Sequence, residues 1–275
     1  MLSYFRLCRI DAALIAFFSY LVGAELAGGT QWSDVVIAIA VTLISTNFIY
    51  SFNSWTDREL DRISKPNRPI PSEKIKPFHA LIYSIVLLMF SFVYPLFVYK
   101  SYLTLSLFFL LPVLGLVYSA RPIRLRRYPI PATFTISLGL VTPIMLGYFM
   151  KQSDTDLIPF FAGLFLFCLS VVPLKKIEEV EEDRQTGYNN LYSKWGLLLL
   201  IWPLSGLLLE LILIFCFDFG NVLKTYLFIL TISSIACILL FSIFKNKLYL
   251  LYQSIIYIAI IEIGIFYLLI KLIDV

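Results

Sequence analysis

"HALIYSIVLLMFSFVYPLFV", His79–Val98, runs for 20 residues without a charged side chain. At 1.5 Å per residue an α-helix of that length covers about 30 Å, the thickness of a bilayer's hydrocarbon core. A buried helix of a soluble protein can be equally apolar, so the rest of the chain has to decide. Segments 10–28, 33–52, 101–119, 131–150, 158–174, 193–216, 222–244 and 248–272 repeat the pattern, which makes nine candidate spans. The 275 residues are 60% hydrophobic and only 15% charged, with a mean hydropathy of +0.86. Soluble domains carry about 25% charged residues. The expected fold class is therefore an all-α membrane protein of nine transmembrane helices.

The charges test that count. With nine spans, the N-terminal segment and the loops after spans 2, 4, 6 and 8 share one side of the membrane, and 18 of the 22 Lys and Arg residues fall there. Lys100, Lys151, Lys224 and Lys271 are left for the other side. Basic loops stay cytoplasmic, so these loops are expected in the cytoplasm and the chain in the inner cell membrane. Arg6 and Arg9 precede the first span as in a signal peptide, but no small-residue cleavage pattern follows, and the segment is expected to be retained. The net charge of +4 reflects this orientation and suits anionic substrates rather than nucleic acid. Four scattered cysteines, Cys8, Cys168, Cys216 and Cys237, read as buried apolar thiols, and with His79 the sole histidine a multi-histidine site is excluded.

Polar residues gather in two places. In "NSWTDRELDRISKPNRPIPS", Asn53–Ser72, the residues Asn53, Asp57 and Asp61 recur every four positions, so on a helix continuing span 2 they share a face and their oxygens can converge on one cation. In "VVPLKKIEEVEEDRQTGYNN", Val171–Asn190, Glu179 and Asp183 repeat the spacing at the end of span 6. Asp57 and Glu179 are 122 positions and four spans apart, which suggests a duplicated four-helix unit plus a ninth helix within one domain, 1–275. Hard oxygen ligands without thiolate or imidazole favour Mg²⁺, and bases set among them make sense if the metal's other ligand is a polyanion such as a diphosphate. The plainer alternative is a pair of solvated loops with i,i+4 salt bridges. No Gly-rich phosphate loop, GxSxG or HExxH is present, so nucleotide-binding and hydrolase readings have no support.

Asn53-x-x-x-Asp57-x-x-x-Asp61 followed by Lys65-Pro66-Asn67-Arg68-Pro69-Ile70-Pro71-Ser72 resembles the first signature of the UbiA superfamily of intramembrane prenyltransferases. Glu179-x-x-x-Asp183 is similar to that family's second aspartate-rich motif, and "YSARPIRLRRYP", Tyr118–Pro129, to its basic loop after span 4. The resemblance implies nine helices around a central cavity, with Asn53, Asp57 and Asp61 on one Mg²⁺, Glu179 and Asp183 on another, and the diphosphate of an isoprenoid donor between them. Asp57, Asp61 and Asp183 would be the catalytic acids. Arg62, Arg68, Tyr118, Arg121, Lys175 and Arg184 would bind substrate, the basic ones neutralising the leaving diphosphate. The implied reaction is prenyl transfer to a lipophilic, aromatic acceptor resembling a quinone precursor. A terpene cyclase on the same fold and a cation-gated transporter or lipid-binding protein are the alternatives. The chain departs from the family pattern at Ser54 and Lys176, where many members have Asp, and at Glu179 in place of the shorter acid. Such changes imply a weaker metal dependence, a different donor or an acceptor bringing its own negative charge.

Other groups have simpler explanations. Glu210 and Glu262 lie inside spans 7 and 9, where hydrogen-bonded acids facing each other or a Tyr are the plain expectation and a proton-accepting role the sharper one. Arg9 and Asp11 read as an ion pair or topology signal at the start of span 1, and His79 as interfacial.

Overall fold

The computed structural model of the chain describes residues 4, 6–7, 10–98, 101–152, 155–218 and 220–273. Cys8, Arg9 and Lys100 lie outside the described residues, as does the side chain of Asp11. The elements are α1 (Ile10–Leu26), α2 (Trp32–Thr56), α3 (Arg58–Ser64), α4 (Pro77–Val98), α5 (Tyr102–Ser119), α6 (Pro129–Phe149), α7 (Ile158–Glu178), α8 (Val180–Thr186), α9 (Leu191–Cys216), α10 (Asn221–Ile243) and α11 (Lys247–Leu272). Among the described residues eight helices are long and apolar enough to cross a membrane, and α1, with 17 residues, sits at the short end of the spanning range. The side chains left most exposed include Phe97, Tyr102, Phe215 and Leu272, as expected where the solvent is lipid. The two largest departures from the expected ends are at Thr56 and Glu178, and both carry a span four residues further into its acidic segment.

The chain divides into two compact units. One comprises Met1–Arg127, Thr142–Gln152 and Tyr267–Val275, the other Tyr128–Val141 and Ser153–Phe266.

In the first unit α1 crosses the end of α6 with almost no separation. A Cβ built on Gly23 would lie 2.0 Å from the Ile144 carbonyl oxygen, and one on Gly147 2.1 Å from that of Tyr20. Small residues let helix backbones touch, which is how helices gain contact in lipid, where no hydrophobic force draws them together. Lys151 ties the far end of this crossing, donating to Asp34 Oδ2 at 2.7 Å and to the Gly29 carbonyl. Helix α2 contains one wide turn at Thr42–Thr46 before it reaches Asn53. In the second unit Gly206 of α9 faces Ser170 of α7 in a similarly close crossing, and Trp202 Nε1 donates to the Leu169 carbonyl at 3.2 Å.

Candidate active site

The first acidic segment keeps its helical hydrogen bonds beyond the end of α2. Asp57 N–H donates to Asn53 O at 2.9 Å, Asp61 N–H to Asp57 O at 2.8 Å and Lys65 N–H to Asp61 O at 2.8 Å. Asp57 itself bends the path (φ −98°, ψ 6°). Asn53, Asp57 and Asp61 therefore stay in register, and both aspartates are 1% exposed. A buried carboxylate needs partners, and each has its own. Arg124 Nη2 donates to Asp57 Oδ1 at 2.7 Å and Arg126 Nη1 to Asp57 Oδ2. Arg68 Nη1 lies 2.9 and 2.7 Å from the two oxygens of Asp61. Ser119 Oγ donates to Asn53 Oδ1 at 3.1 Å.

The Pro-rich tail of the segment explains how Arg68 gets there. Ile70 and Ile75 are buried with Leu7 and Ala80 and packed by Trp55 and Tyr83, which pins the loop against the start of α4. Ile75 N–H donates to Pro69 O at 3.1 Å and Ser72 N–H to Arg68 O at 2.9 Å, closing the turn around the arginine. Asp61 is pushed toward its protonated form mainly by burial and also by the nearby Asp57 charge, against the opposing pull of Arg68 and Lys65.

The second acidic segment has the same local form. Glu179 bends the chain (φ −90°, ψ 6°) and Asp183 N–H donates to Glu179 O at 2.8 Å. Asp183 is fully buried and Glu179 nearly so. Lys176 Nζ lies between them, 2.8 Å from Glu179 Oε2 and 2.9 Å from Asp183 Oδ2, and Lys175 Nζ reaches Glu179 Oε1 at 2.9 Å. Helix α8 ends at Gly187, whose φ of 67° is open to glycine without strain. Asn190 then donates through Nδ2 to Asp183 Oδ2 at 2.8 Å and to the Lys176 carbonyl at 2.9 Å, while its Oδ1 caps α9 by accepting from Ser193 N–H at 3.0 Å. Asn190→Ala removes the cap and both donated bonds. It is expected to lower stability by about 1–3 kcal/mol, which thermal unfolding of the purified protein will read.

The remaining candidates separate into two groups. Arg68 and Lys175 touch the acids as just described. Arg62 is 57% exposed and pairs with Glu59 at 2.9 Å, while Arg184 is 81% exposed and 4.0 Å from Glu181. Arg121 is exposed and Tyr118 half-buried on α5. The arginines that reach Asp57 are Arg124 and Arg126, which the sequence does not set apart from their neighbours. Arg124 adopts φ 40°, a conformation that costs a non-glycine residue roughly 1–3 kcal/mol and marks a locally imposed geometry. Four arginines in the seven residues 121–127 were the available signal, but no periodicity says which turn inward.

Glu210 is fully buried and lines an apolar cavity of about 250 Å³ with Ile158, Gly163, Leu213 and Phe217. It lies beside Thr231, and Glu262 beside Ser233, with Tyr226 within electrostatic reach of both acids. His79 is exposed at the start of α4.

Carboxylates matched with guanidinium and ammonium groups at the ends of membrane helices are suited to handling an anionic group beside a lipid tail. Residues 14–254 match the UbiA prenyltransferase family. The chain belongs to that family. It is 31% identical over 197 residues to a digeranylgeranylglyceryl phosphate synthase of Methanosphaera stadtmanae, covering 71% of this chain and 70% of the relative. A protein of the same name from Sulfurisphaera tokodaii is 29% identical over 78% of this chain and 77% of its own. Among solved structures, a UbiA homolog from Archaeoglobus fulgidus bound to GPP and Mg²⁺ superimposes with a TM-score of 0.69 at 18% identity, covering 96% of this chain and 99% of that one. At such identity the UbiA-type structures speak for the fold alone. As a family member the chain is a prenyltransferase of the membrane, all-helical like its structural neighbours.

Proposed function

We propose that this prenyltransferase moves an isoprenoid chain from its diphosphate to a hydroxyl of a glyceryl phosphate lipid, with Mg²⁺ held at Asn53, Asp57 and Asp61. The observation that carries the reading is the first cluster: two buried aspartates and an asparagine in helical register, with three arginines brought to them from two loops. Its donors are all hard oxygens, which suits Mg²⁺. The relatives supply the acceptor class, since the two compared above are named for a glyceryl phosphate carrying two geranylgeranyl groups. The aromatic acceptor expected from the sequence has less support, although the family is broad enough to include a chlorophyll synthase 26% identical over 63% of this chain.

The chain's own part is mainly electrostatic. Arg68, Arg124 and Arg126 neutralise the aspartates at rest and are placed to turn their N–H groups to diphosphate oxygens as negative charge builds on the leaving group. Mg²⁺, when bound, stabilises that same charge as a Lewis acid. Lys175, Glu179 and Asp183 belong to the same reading as the second motif, while the exposed Arg62 and Arg184, with Arg121 and Tyr118, are assigned to the approach of substrate rather than to the reacting bond. Chain 1–275 acts as one functional domain, its basic loops on the cytoplasmic face.

Diphosphate release by the purified protein in nanodiscs tests the proposal. With geranylgeranyl diphosphate, release is expected only when Mg²⁺ and geranylgeranylglyceryl phosphate are both present, and EDTA should abolish it. Release without any acceptor would mean a cyclase. Release with an aromatic acceptor alone would restore the quinone-type reading, and none under any condition would leave a transporter or lipid-binding protein.

A further inference from the structure

The two acidic segments repeat each other in backbone as well as in spacing. Asp57 and Glu179 carry nearly the same bend, and in both the next acid's amide donates back over 2.8 Å. Aligning Asp57 with Glu179 sets Asp61 on Asp183, Asn53 on Lys175 and Ser54 on Lys176. The charges, however, are compensated differently. In the first segment separate guanidinium groups approach from other loops, Arg124 and Arg126 to Asp57 and Arg68 to Asp61. In the second a single ammonium, from the turn that precedes both acids, is shared by the two carboxylates at 2.8 and 2.9 Å.

A cation shared by two carboxylates has one place to sit, and the Lys176 nitrogen is in it. Mg²⁺ requires oxygen at about 2.0–2.1 Å in octahedral geometry, so the ion and the ammonium exclude one another. Displacing Lys176 would strand a largely buried charge, and Lys175 already holds the other oxygen of Glu179. We propose that the Lys176 ammonium replaces a divalent ion at the second acidic cluster, so that the chain takes up metal at its first cluster alone. An ammonium carries three N–H donors, of which Glu179 and Asp183 take two. The claim about the first cluster rests on the proposed function, whereas the claim about Lys176 stands on its own geometry.

The test counts Mn²⁺ bound to the full chain in phosphatidylcholine nanodiscs without substrate, read from the loss of the free-ion EPR signal. Wild type is expected to bind one Mn²⁺ per chain, lost in Asp61→Asn and kept in Asp183→Asn. Lys176→Asp is expected to bind one more than wild type, and Asp183→Asn in that background to remove the extra ion. Should Lys176→Asp fail to fold, Lys176→Ala, which removes the ammonium from between the same two carboxylates, is expected to gain the same ion with weaker affinity. A wild-type count that falls by one with Asp183→Asn overturns the proposal, as does a Lys176 variant, folded, that gains nothing. A wild type that binds no Mn²⁺ while Lys176→Asp gains one overturns the assignment of metal to the first cluster and leaves the lysine's role standing, so the two failures are distinguishable.

Discussion

Asp57→Asn is expected to lower turnover by about two to three orders of magnitude and to destabilise the fold at the same time. The activity loss has the size seen when a group aimed at developing charge is removed from a preorganised site. The stability loss follows from what surrounds the carboxylate. Asp57 is the shared partner of Arg124 and Arg126, and all three side chains are buried. An asparagine takes from both guanidinium groups, in a poorly solvated place, the negative charge that Asp57 supplies. Removing one partner from a buried ion pair costs about 3–5 kcal/mol, largely the penalty of the charge left behind. Thermal unfolding and diphosphate release measured on the same preparation separate the two effects. Adding Arg126→Leu to Asp57→Asn should recover part of the lost stability and none of the activity. If Asp57→Asn unfolds at the wild-type temperature, the buried charge cluster does not exist as described. Arg62→Ala is the contrasting surface change, since a pair as exposed as Arg62 and Glu59 contributes at most about 1 kcal/mol.

The sequence made the spans legible because hydropathy depends on composition over some 20 residues and tolerates local error. The helices run four residues past the expected spans at Thr56 and Glu178, as the helical continuation read from the spacing requires. The apolar pattern stops where the acidic segments begin, whereas the i to i+4 hydrogen bonds continue, and the acids are carried on that continuation. The spacing of Asn53, Asp57 and Asp61 was legible for the same reason, being a property of one helix. What no local pattern could show was which cations reach Asp57 and Asp61. Arg124 and Arg126 are brought to Asp57 from 67 and 69 positions away by a loop whose turns depend on φ 40° at Arg124. Arg121, equally basic and closer to α5, ends up exposed. Lys176 was visible as an odd charge among acids, but its position between Glu179 and Asp183 needed the bend at Glu179 that folds the turn back on itself. Glu210 and Glu262 were flagged by depth alone, and their shared neighbour Tyr226 comes from α10, which the sequence could not place beside them.

The second large effect is expected far from the acids, at the crossing of α1 and α6. Gly23→Leu and Gly147→Leu should each abolish most of the folded protein recovered from membranes, and even Gly23→Ala should lower the unfolding temperature measurably. The reason is that the obstacle is backbone. A Cβ at residue 23 meets the Ile144 oxygen at 2.0 Å and the Tyr148 nitrogen at 2.8 Å, and one at residue 147 meets the Tyr20 oxygen at 2.1 Å and the Ala24 nitrogen at 3.0 Å. A flexible side chain could rotate away, but two helical backbones can yield only by moving apart, and the contacts that they surrender are the packing that holds helices together in lipid. Overpacking a soluble core costs about 1–3 kcal/mol, and a clash with main chain on both sides lies at the upper end or above. Tyr20, Val22 and Ala24 are fully buried beside this crossing, so separation of the helices also opens voids around them. Gly264 of α11 provides the control, because a Cβ there has no atom within 4 Å, and Gly264→Ala should unfold within a degree or two of wild type or slightly above it. Fluorescence-detected size exclusion of the four variants decides the matter. A monodisperse Gly23→Leu protein eluting like wild type would show that α1 and α6 do not cross in backbone contact.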